Sequence, residues 1–251
     1  MFFKKSKPEI FVLGNQKSGT SAIGHLIADA SNISKTIDIP VLWPPYIQRL
    51  VAGELLLGKT VKSHRKYFRT TLVKEPNLTF LYGELLEIFP DAQYVFVVRN
   101  PFGNIRSILN RYQLDGSLQE LSTEQIRDLG AHYNLFQAEN WNFPAERNPI
   151  AVLAVRWKEA VMNYLKYHQE VTTRLARYED FKADKKGFIS RMCYELGLEV
   201  KTDIEEKLHI QFQPKGDHTL SYREFFGEEN FKLIKNICWP LAEQFGYVTD
   251  G

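Results

Sequence analysis

The stretch from Glu9 to Ala22, Glu-Ile-Phe-Val-Leu-Gly-Asn-Gln-Lys-Ser-Gly-Thr-Ser-Ala, constrains the fold of this chain more than any other. Ile10 to Leu13 is a short, unbroken apolar run, the pattern of a strand buried on both faces. Gly14 to Gly19 is a tight turn holding one lysine, Lys17. From Thr20 the spacing turns helical, with Ile23, Leu26 and Ile27 on one face. Strand, glycine loop and helix N-terminus in succession make an anion site. Free backbone N–H groups point at the ligand, the helix dipole favours negative charge, and the lysine adds a full positive one.

This loop differs from the one that grips nucleoside triphosphates. That loop reads G-x4-G-K-[ST], so that the lysine follows the second glycine and the next hydroxyl holds magnesium. Gly14 and Gly19 keep the separation, but Thr20 stands in the lysine's place and Lys17 lies inside the loop. An ordinary strand-to-helix connection also uses glycines. The run Lys17-Ser18-Gly19-Thr20-Ser21 at that junction favours phosphate binding over that plainer reading.

A second buried strand is predicted over Gln93 to Val98, running straight into Arg99-Asn-Pro-Phe-Gly and a helix through Ile105, Ile108, Leu109 and Tyr112. Thr71 to Glu75 reads as a short strand stopped by Pro76, and Thr172 to Tyr178 as a third core strand ended by Glu179-Asp180-Phe181. Helices are predicted over Tyr46–Leu57, ended by Gly58, over Leu78–Phe89, from Ser122-Thr123 to about Glu139, and after Pro149. Two more lie near Lys185–Leu196 and Glu228–Phe245. Thr36 to Pro45 reads as irregular, Lys59 to Ser63 has β character, and His64 to Arg69 is a basic turn. Alternating strands and helices imply an α/β fold in three layers, a mostly parallel sheet covered by helices on both faces. Ligands of such sheets lie beyond the carboxyl ends of the strands. The Lys17 loop and the Arg99 turn each follow a strand directly, so both should face one crevice.

At 251 residues the chain has room for one compact domain with a sizeable core. Its 44% apolar and 25% charged residues are ordinary for a soluble globular protein. A net charge of +2 provides no global basic field, which gives no support to a nucleic-acid partner; attraction for anions must be local. Cys193 and Cys238 fall in helix-like stretches and read as packed thiols rather than a disulfide. No apolar run reaches the roughly 18 residues of a membrane span, and none of signal-peptide length follows the first lysines, so a cytoplasmic location is expected. Phe2, Phe3, Lys4, Lys5 and Lys7 have the composition of a peripheral membrane contact, though a frayed terminus accounts for them more simply.

Three segments together resemble the PAPS-dependent sulfotransferases, PAPS being 3′-phosphoadenosine 5′-phosphosulfate. Gln16-Lys17-Ser18-Gly19-Thr20-Ser21 is similar to that family's 5′-phosphosulfate loop, P-K-[SA]-G-T-[ST]. Arg99-Asn100-Pro101 with Ser107 eight positions after the arginine resembles its 3′-phosphate motif, and Arg177-Tyr178-Glu179-Asp180-Phe181 its R-Y-E-D-L strand end. The resemblance covers most of the chain, to Phe245-Gly246-Tyr247, and implies a P-loop-like fold, with PAPS as donor and PAP as product. No metal is expected, since the strand before Arg99 ends in arginine rather than a magnesium-holding aspartate and no His/Cys/Asp/Glu cluster has metal-ligand spacing. It implies donor contacts from Lys17, Ser18, Gly19, Thr20, Ser21, Arg99, Ser107 and Tyr178, and, by a short match, from Lys215 and Gly216. Independently, Arg99 offers a planar fork suited to a phosphate, and Ser107 lies on the helix that follows. A strand-end ion pair and a solvated serine are the plainer alternative for that pair, and a half-buried strand residue the alternative for Tyr178. The chain departs from the pattern at Gln16, where proline is usual, at Ala22, where many members have an adenine-stacking tryptophan, and at Phe102-Gly103, which replaces Lys-Asp.

Sulfuryl transfer, like phosphoryl transfer, needs in-line attack, cations at the leaving phosphate and a base for the acceptor's proton. Lys17, with the N–H groups of Gly19 and Thr20, is the expected electrophilic group. Lys62-Ser63-His64 resembles the K-T-H segment of cytosolic sulfotransferases, which makes His64 the expected base. Lys74-Glu75-Pro76 resembles the K-x-P of members whose base is often a glutamate, which keeps Glu75, and Glu54 with it, as reserve candidates. His25, one turn past the loop, reads as structural. A P-loop small-molecule kinase and a catalytically silent nucleotide-binding relative are the competing readings. Small-molecule, glycan, lipid and peptide acceptors all fit, with Pro44–Leu57 and Gly116–Asn148 expected to shape their pocket. Oligomeric state leaves no mark in the sequence.

Overall fold

In the computed structural model, which describes residues 8–137, 147–169, 173–210 and 219–248, the strands are β1 (Ile10–Gly14), β2 (Lys35–Ile37), β3 (Leu72–Lys74), β4 (Gln93–Val98) and β5 (Thr173–Arg177). They form one sheet in the order β2-β3-β1-β4-β5, and every pairing is parallel. The helices are α1 (Thr20–Ser31), α2 (Tyr46–Val51), α3 (Leu57–Ser63), α4 (Tyr82–Ile88) and α5 (Pro101–Arg111), followed by α6 (Thr123–Leu129), α7 (Pro149–Tyr167), α8 (Tyr178–Ala183), α9 (Lys185–Glu195) and α10 (Tyr222–Ala242).

The three layers follow from side-chain alternation along the strands. Phe11, Leu13, Tyr94, Phe96 and Val98 point to one face, where they pack with residues of α4, α5, α7 and α10. Ile10, Val12, Val95 and Val97 point to the other, against α1, α8 and α9. Burial of β1 at every residue explains its unbroken apolar run. Cys193 and Cys238 are free thiols buried in α9 and α10. Among the described residues no helix is long and apolar enough to cross a membrane.

Four local expectations are corrected. Lys59–Ser63 lies within helix α3 rather than in a strand, because Leu57 and Thr60, one turn apart, are its buried face and the Thr60 hydroxyl meets that of Tyr46 at 3.2 Å. The helix predicted over Tyr46–Leu57 ends at Val51, where the chain turns through Gly53 in a left-handed conformation (φ 75°). Leu78–Phe89 divides into a 3-10 turn over Pro76–Leu81 and α4, since Pro76 to Thr79 are packed into the core directly beyond β3. Strand β2 falls in a stretch read as irregular; its three half-buried residues form the sheet edge.

Because β1 lies between β3 and β4, the chain leaves β1 toward one edge of the sheet and β4 toward the other. Gly14 pairs in register with Val97, so the loops after these two strands open side by side into the crevice at the switch point.

Candidate active site

The Lys17 loop is built on two glycines with no substitute. Gly14 has φ 135°, and a Cβ there would lie 2.3 Å from the Val97 carbonyl oxygen. Gly19 has φ 98°, and its Cβ would lie 2.4 Å from the ring of Tyr178. Lys17 itself takes the left-handed conformation at φ 67°, which costs a non-glycine residue about 1 kcal/mol and turns the loop back on itself. Gly19 caps α1 without a side-chain bond, and the first turn carries no acidic residue, so no side chain of the cap competes for its N–H groups.

Side chains from two other elements hold this geometry. The Thr79 hydroxyl accepts from Gly14 N–H at 2.8 Å and donates to its carbonyl at 3.2 Å. Asn104, fully buried on α5, donates from Nδ2 to the Gln16 carbonyl at 2.8 Å and to Ser18 Oγ at 3.0 Å, and accepts from Asn15 Nδ2 at 2.9 Å. The Ser18 hydroxyl is thereby turned inward, where it secures the loop. Thr20 is buried, and Ser21 is half-buried at the start of α1. Neither Thr79 nor Asn104 is singled out by sequence reasoning; the available signal is an asparagine on the core-facing stripe of a helix that starts two residues after Arg99.

Arg99, two residues past Val97, reaches into the same loop: its Nη1 donates to the Lys17 carbonyl at 2.9 Å. The guanidinium carbon lies 4.4 Å from the centre of the Tyr178 ring, the ring that also bounds Gly19. Its backbone is gripped on both sides, by Trp157 Nε1 donating to the Arg99 carbonyl at 2.9 Å and by Asn100 N–H donating to Glu179 Oε1 at 3.0 Å. Asn104, Ser107 and Arg111 follow one another along one face of α5 at helical spacing, with Ser107 half-buried. The structure thus brings together Lys17, Ser18, Gly19, Thr20, Arg99 and Tyr178. Lys215 and Gly216 lie outside the described residues.

Lys17 is electrostatically distinctive. Partial burial, with Arg111 and Arg99 nearby, brings its pKa down to about 8. Among the described residues its side chain makes no hydrogen bond or ion pair, so its charge is available to an anion.

Beside this loop, beyond the C-terminal end of β3, lies a buried polar group. Glu75 accepts at Oε2 from Ile39 N–H at 2.8 Å and at Oε1 from Asn77 N–H at 2.9 Å. Burial outweighs these bonds and raises its pKa to about 7. Arg156, fully buried on α7, donates to Asn77 Oδ1 at 3.1 Å and stacks over Phe80 at 4.6 Å, and burial lowers its pKa to about 9 despite nearby Tyr112 and Glu75. Burial raises the Tyr112 phenol as well, against the Gln16 side chain and the Arg111 and Arg156 charges beside it.

His64 is not brought to the Lys17 loop. It ends α3, and the 3-10 turn after it leads into the N-terminal end of β3, where Phe68 stacks on Phe89 at 6.0 Å. Lys17 leaves the opposite, C-terminal edge of the sheet. Glu54 is exposed and pairs with Arg49 at 3.0 Å. His25 is half-buried on α1, its pKa lowered by burial and then by Lys35.

The chain resembles several solved proteins in fold. The sulfotransferase domain from the curacin biosynthetic pathway shares 14% identity over 98% of this chain and 99% of its own, with a TM-score of 0.51. Sulfotransferase STF9 from Mycobacterium avium shares 13% over 99% of this chain and 79% of its own, at 0.60. Mouse sulfotransferase SULT7A1, solved in complex with PAP, shares 15% over 82% of this chain and 64% of its own, at 0.50. No curated protein sequence matches the chain. Residues 43–202 match the model of the sulfotransferase family, a span that takes in the Glu75 group, the Arg99 turn and the Arg177–Phe181 strand end, and the chain belongs to that family.

Proposed function

We propose that this protein transfers a sulfuryl group from PAPS to a hydroxyl or amine of its acceptor. The observation that carries the reading is the bond between the two anion grips, Arg99 Nη1 to the Lys17 carbonyl at 2.9 Å. Two cationic sites joined in this way suit one ligand with two separate phosphates, as adenosine 3′,5′-bisphosphate has. The 5′-phosphosulfate would lie on the N–H groups of the α1 first turn with Lys17, and the 3′-phosphate against Arg99 and Ser107. In the transfer, the acceptor oxygen forms its bond to sulfur as the bond from sulfur to the bridging phosphate oxygen breaks. Charge then grows on the leaving phosphate, where Lys17 and the loop N–H groups stabilise it.

For the acceptor's proton we assign Glu75 in place of His64. A carboxylate of pKa about 7 is half ionised at neutral pH, and it follows a strand end next to the loop. The acceptor is expected between the 3-10 turn at Gly130–Phe136, whose His132 meets the Tyr112 hydroxyl at 3.3 Å, and the segment around Leu42, whose carbonyl accepts from Asn77.

The test is a thermal-shift comparison of adenosine 3′,5′-bisphosphate, without metal, with magnesium-ATP. At a hundred times its dissociation constant a ligand stabilises the fold by about 2.7 kcal/mol. Stabilisation by the bisphosphate is expected; stabilisation by magnesium-ATP alone would replace this reading with a kinase.

A further inference from the structure

We propose that Glu179 is a positioning residue that sets the Arg99 turn, as the middle of a clasp closed by Tyr247. The proposal rests on the reading of Arg99 as the grip for a second phosphate.

Glu179 lies in the first turn of α8, immediately after Tyr178. Its Oε1 accepts from Asn100 N–H at 3.0 Å, and its Oε2 accepts from the Tyr247 hydroxyl at 2.8 Å. Tyr247 is only 5% exposed, and the guanidinium of Arg177 lies 5.1 Å from its ring centre. One dipeptide therefore approaches Arg99 twice: the Tyr178 ring supports its guanidinium, and the Glu179 carboxylate fixes the peptide N–H that follows it.

On charge alone a carboxylate is misplaced here, since it repels the anion that Arg99 would bind. Geometry supplies the reason for it. Asn100 begins α5 with its side-chain oxygen accepting from Gly103 N–H, so its own N–H faces away from the helix and needs an acceptor. A carboxylate is the strongest acceptor available and has a second oxygen to spare. Tyr247 takes that oxygen and ties the end of the described chain, some seventy residues away in sequence, to the turn. The Arg99 turn is thus held from behind by Glu179, which bonds to its backbone, and by Tyr247, which bonds to Glu179.

Dissociation constants for adenosine 3′,5′-bisphosphate and for adenosine 5′-monophosphate, which lacks the 3′-phosphate, test this by calorimetry. The wild type should prefer the bisphosphate. Glu179→Ala should reduce that preference about tenfold, the effect of losing one hydrogen bond to a charged group, and leave the monophosphate nearly unchanged. Glu179→Gln keeps an oxygen for Asn100 N–H and an amide that can donate to the Tyr247 oxygen, and should restore most of the preference. Tyr247→Phe should lower it a few-fold. Equal weakening of both ligands in a folded Glu179→Ala protein, or a preference unchanged in every variant, overturns the proposal. If Glu179→Ala does not fold, the contrast between Glu179→Gln and Tyr247→Phe decides: a preference equal in the two overturns it. A wild type that does not distinguish the two ligands instead overturns the two-phosphate reading, and the clasp's role with it.

Discussion

The crevice has two flanks of different construction. On the flank of β1 and β4, loop and turn hold each other through backbone groups: Asn104 on the Gln16 carbonyl, Arg99 on the Lys17 carbonyl, Glu179 on the Asn100 N–H. On the flank beyond β3, charged groups are buried and their pKa values are displaced toward neutrality, Glu75 upward and Arg156 downward. The first flank has the features of a binding surface, rigid and with its cationic charge accessible. The second has those of a place where protons move, because a group titrating near the working pH can both take and release one. Binding and proton transfer should therefore be separable by mutation.

The largest separation is expected at Lys17. Lys17→Ala should lower turnover by about 10³-fold, the scale of losing a donor to developing charge, without lowering the melting temperature, since the side chain makes no bond among the described residues. A turnover loss below tenfold would remove Lys17 from the chemistry. Glu75→Gln should cost about 10²-fold in turnover and leave bisphosphate affinity unchanged, whereas His64→Ala should leave turnover within about twofold. The reverse pattern would return the base to His64. Gly19→Ala should destabilise the fold by about 1–3 kcal/mol, through the strained φ and the collision with Tyr178, and Tyr178→Ala should relieve part of that in the double variant. Denaturant melts of the three variants measure the coupling. The smallest effect is in pH. The profile of kcat/KM should rise through about pH 7 as Glu75 ionises and fall through about pH 8 as Lys17 loses its proton. Glu75→Gln should abolish the rising limb alone.

The same two flanks divide what the sequence discloses. On the first, each functional group follows a buried strand within a few residues, so apolar runs locate Lys17 and Arg99 without any structure. The second depends on long-range contacts: Arg156 meets Asn77 across 79 positions, and Glu75 meets Ile39 across 36. No local pattern encodes those. Lys62-Ser63-His64, matched on a short motif, lies in a helix and at its end, ahead of the N-terminal edge of β3. The rule that ligands lie beyond strand ends, applied to the Thr71–Glu75 strand, points instead to Glu75. Lys59–Ser63 is helical because β-favouring Thr60 and Val61 are overridden by one-turn burial of Leu57 and Thr60. The roles of Asn104 and Glu179 are not legible in the sequence, because a residue that acts on backbone leaves no chemical signature of its own.

The bond from Arg99 to the Lys17 carbonyl makes the two grips a ruler. On the proposed reading, neither end can shift without dragging the other, so the molecule would gauge the spacing between two phosphates as well as their charge. A nucleoside triphosphate, whose phosphates follow one another in a single chain, would then satisfy one mark and miss the second. A ligand that matches both must let go of both to leave, which lengthens its residence without demanding a tighter hold at either end.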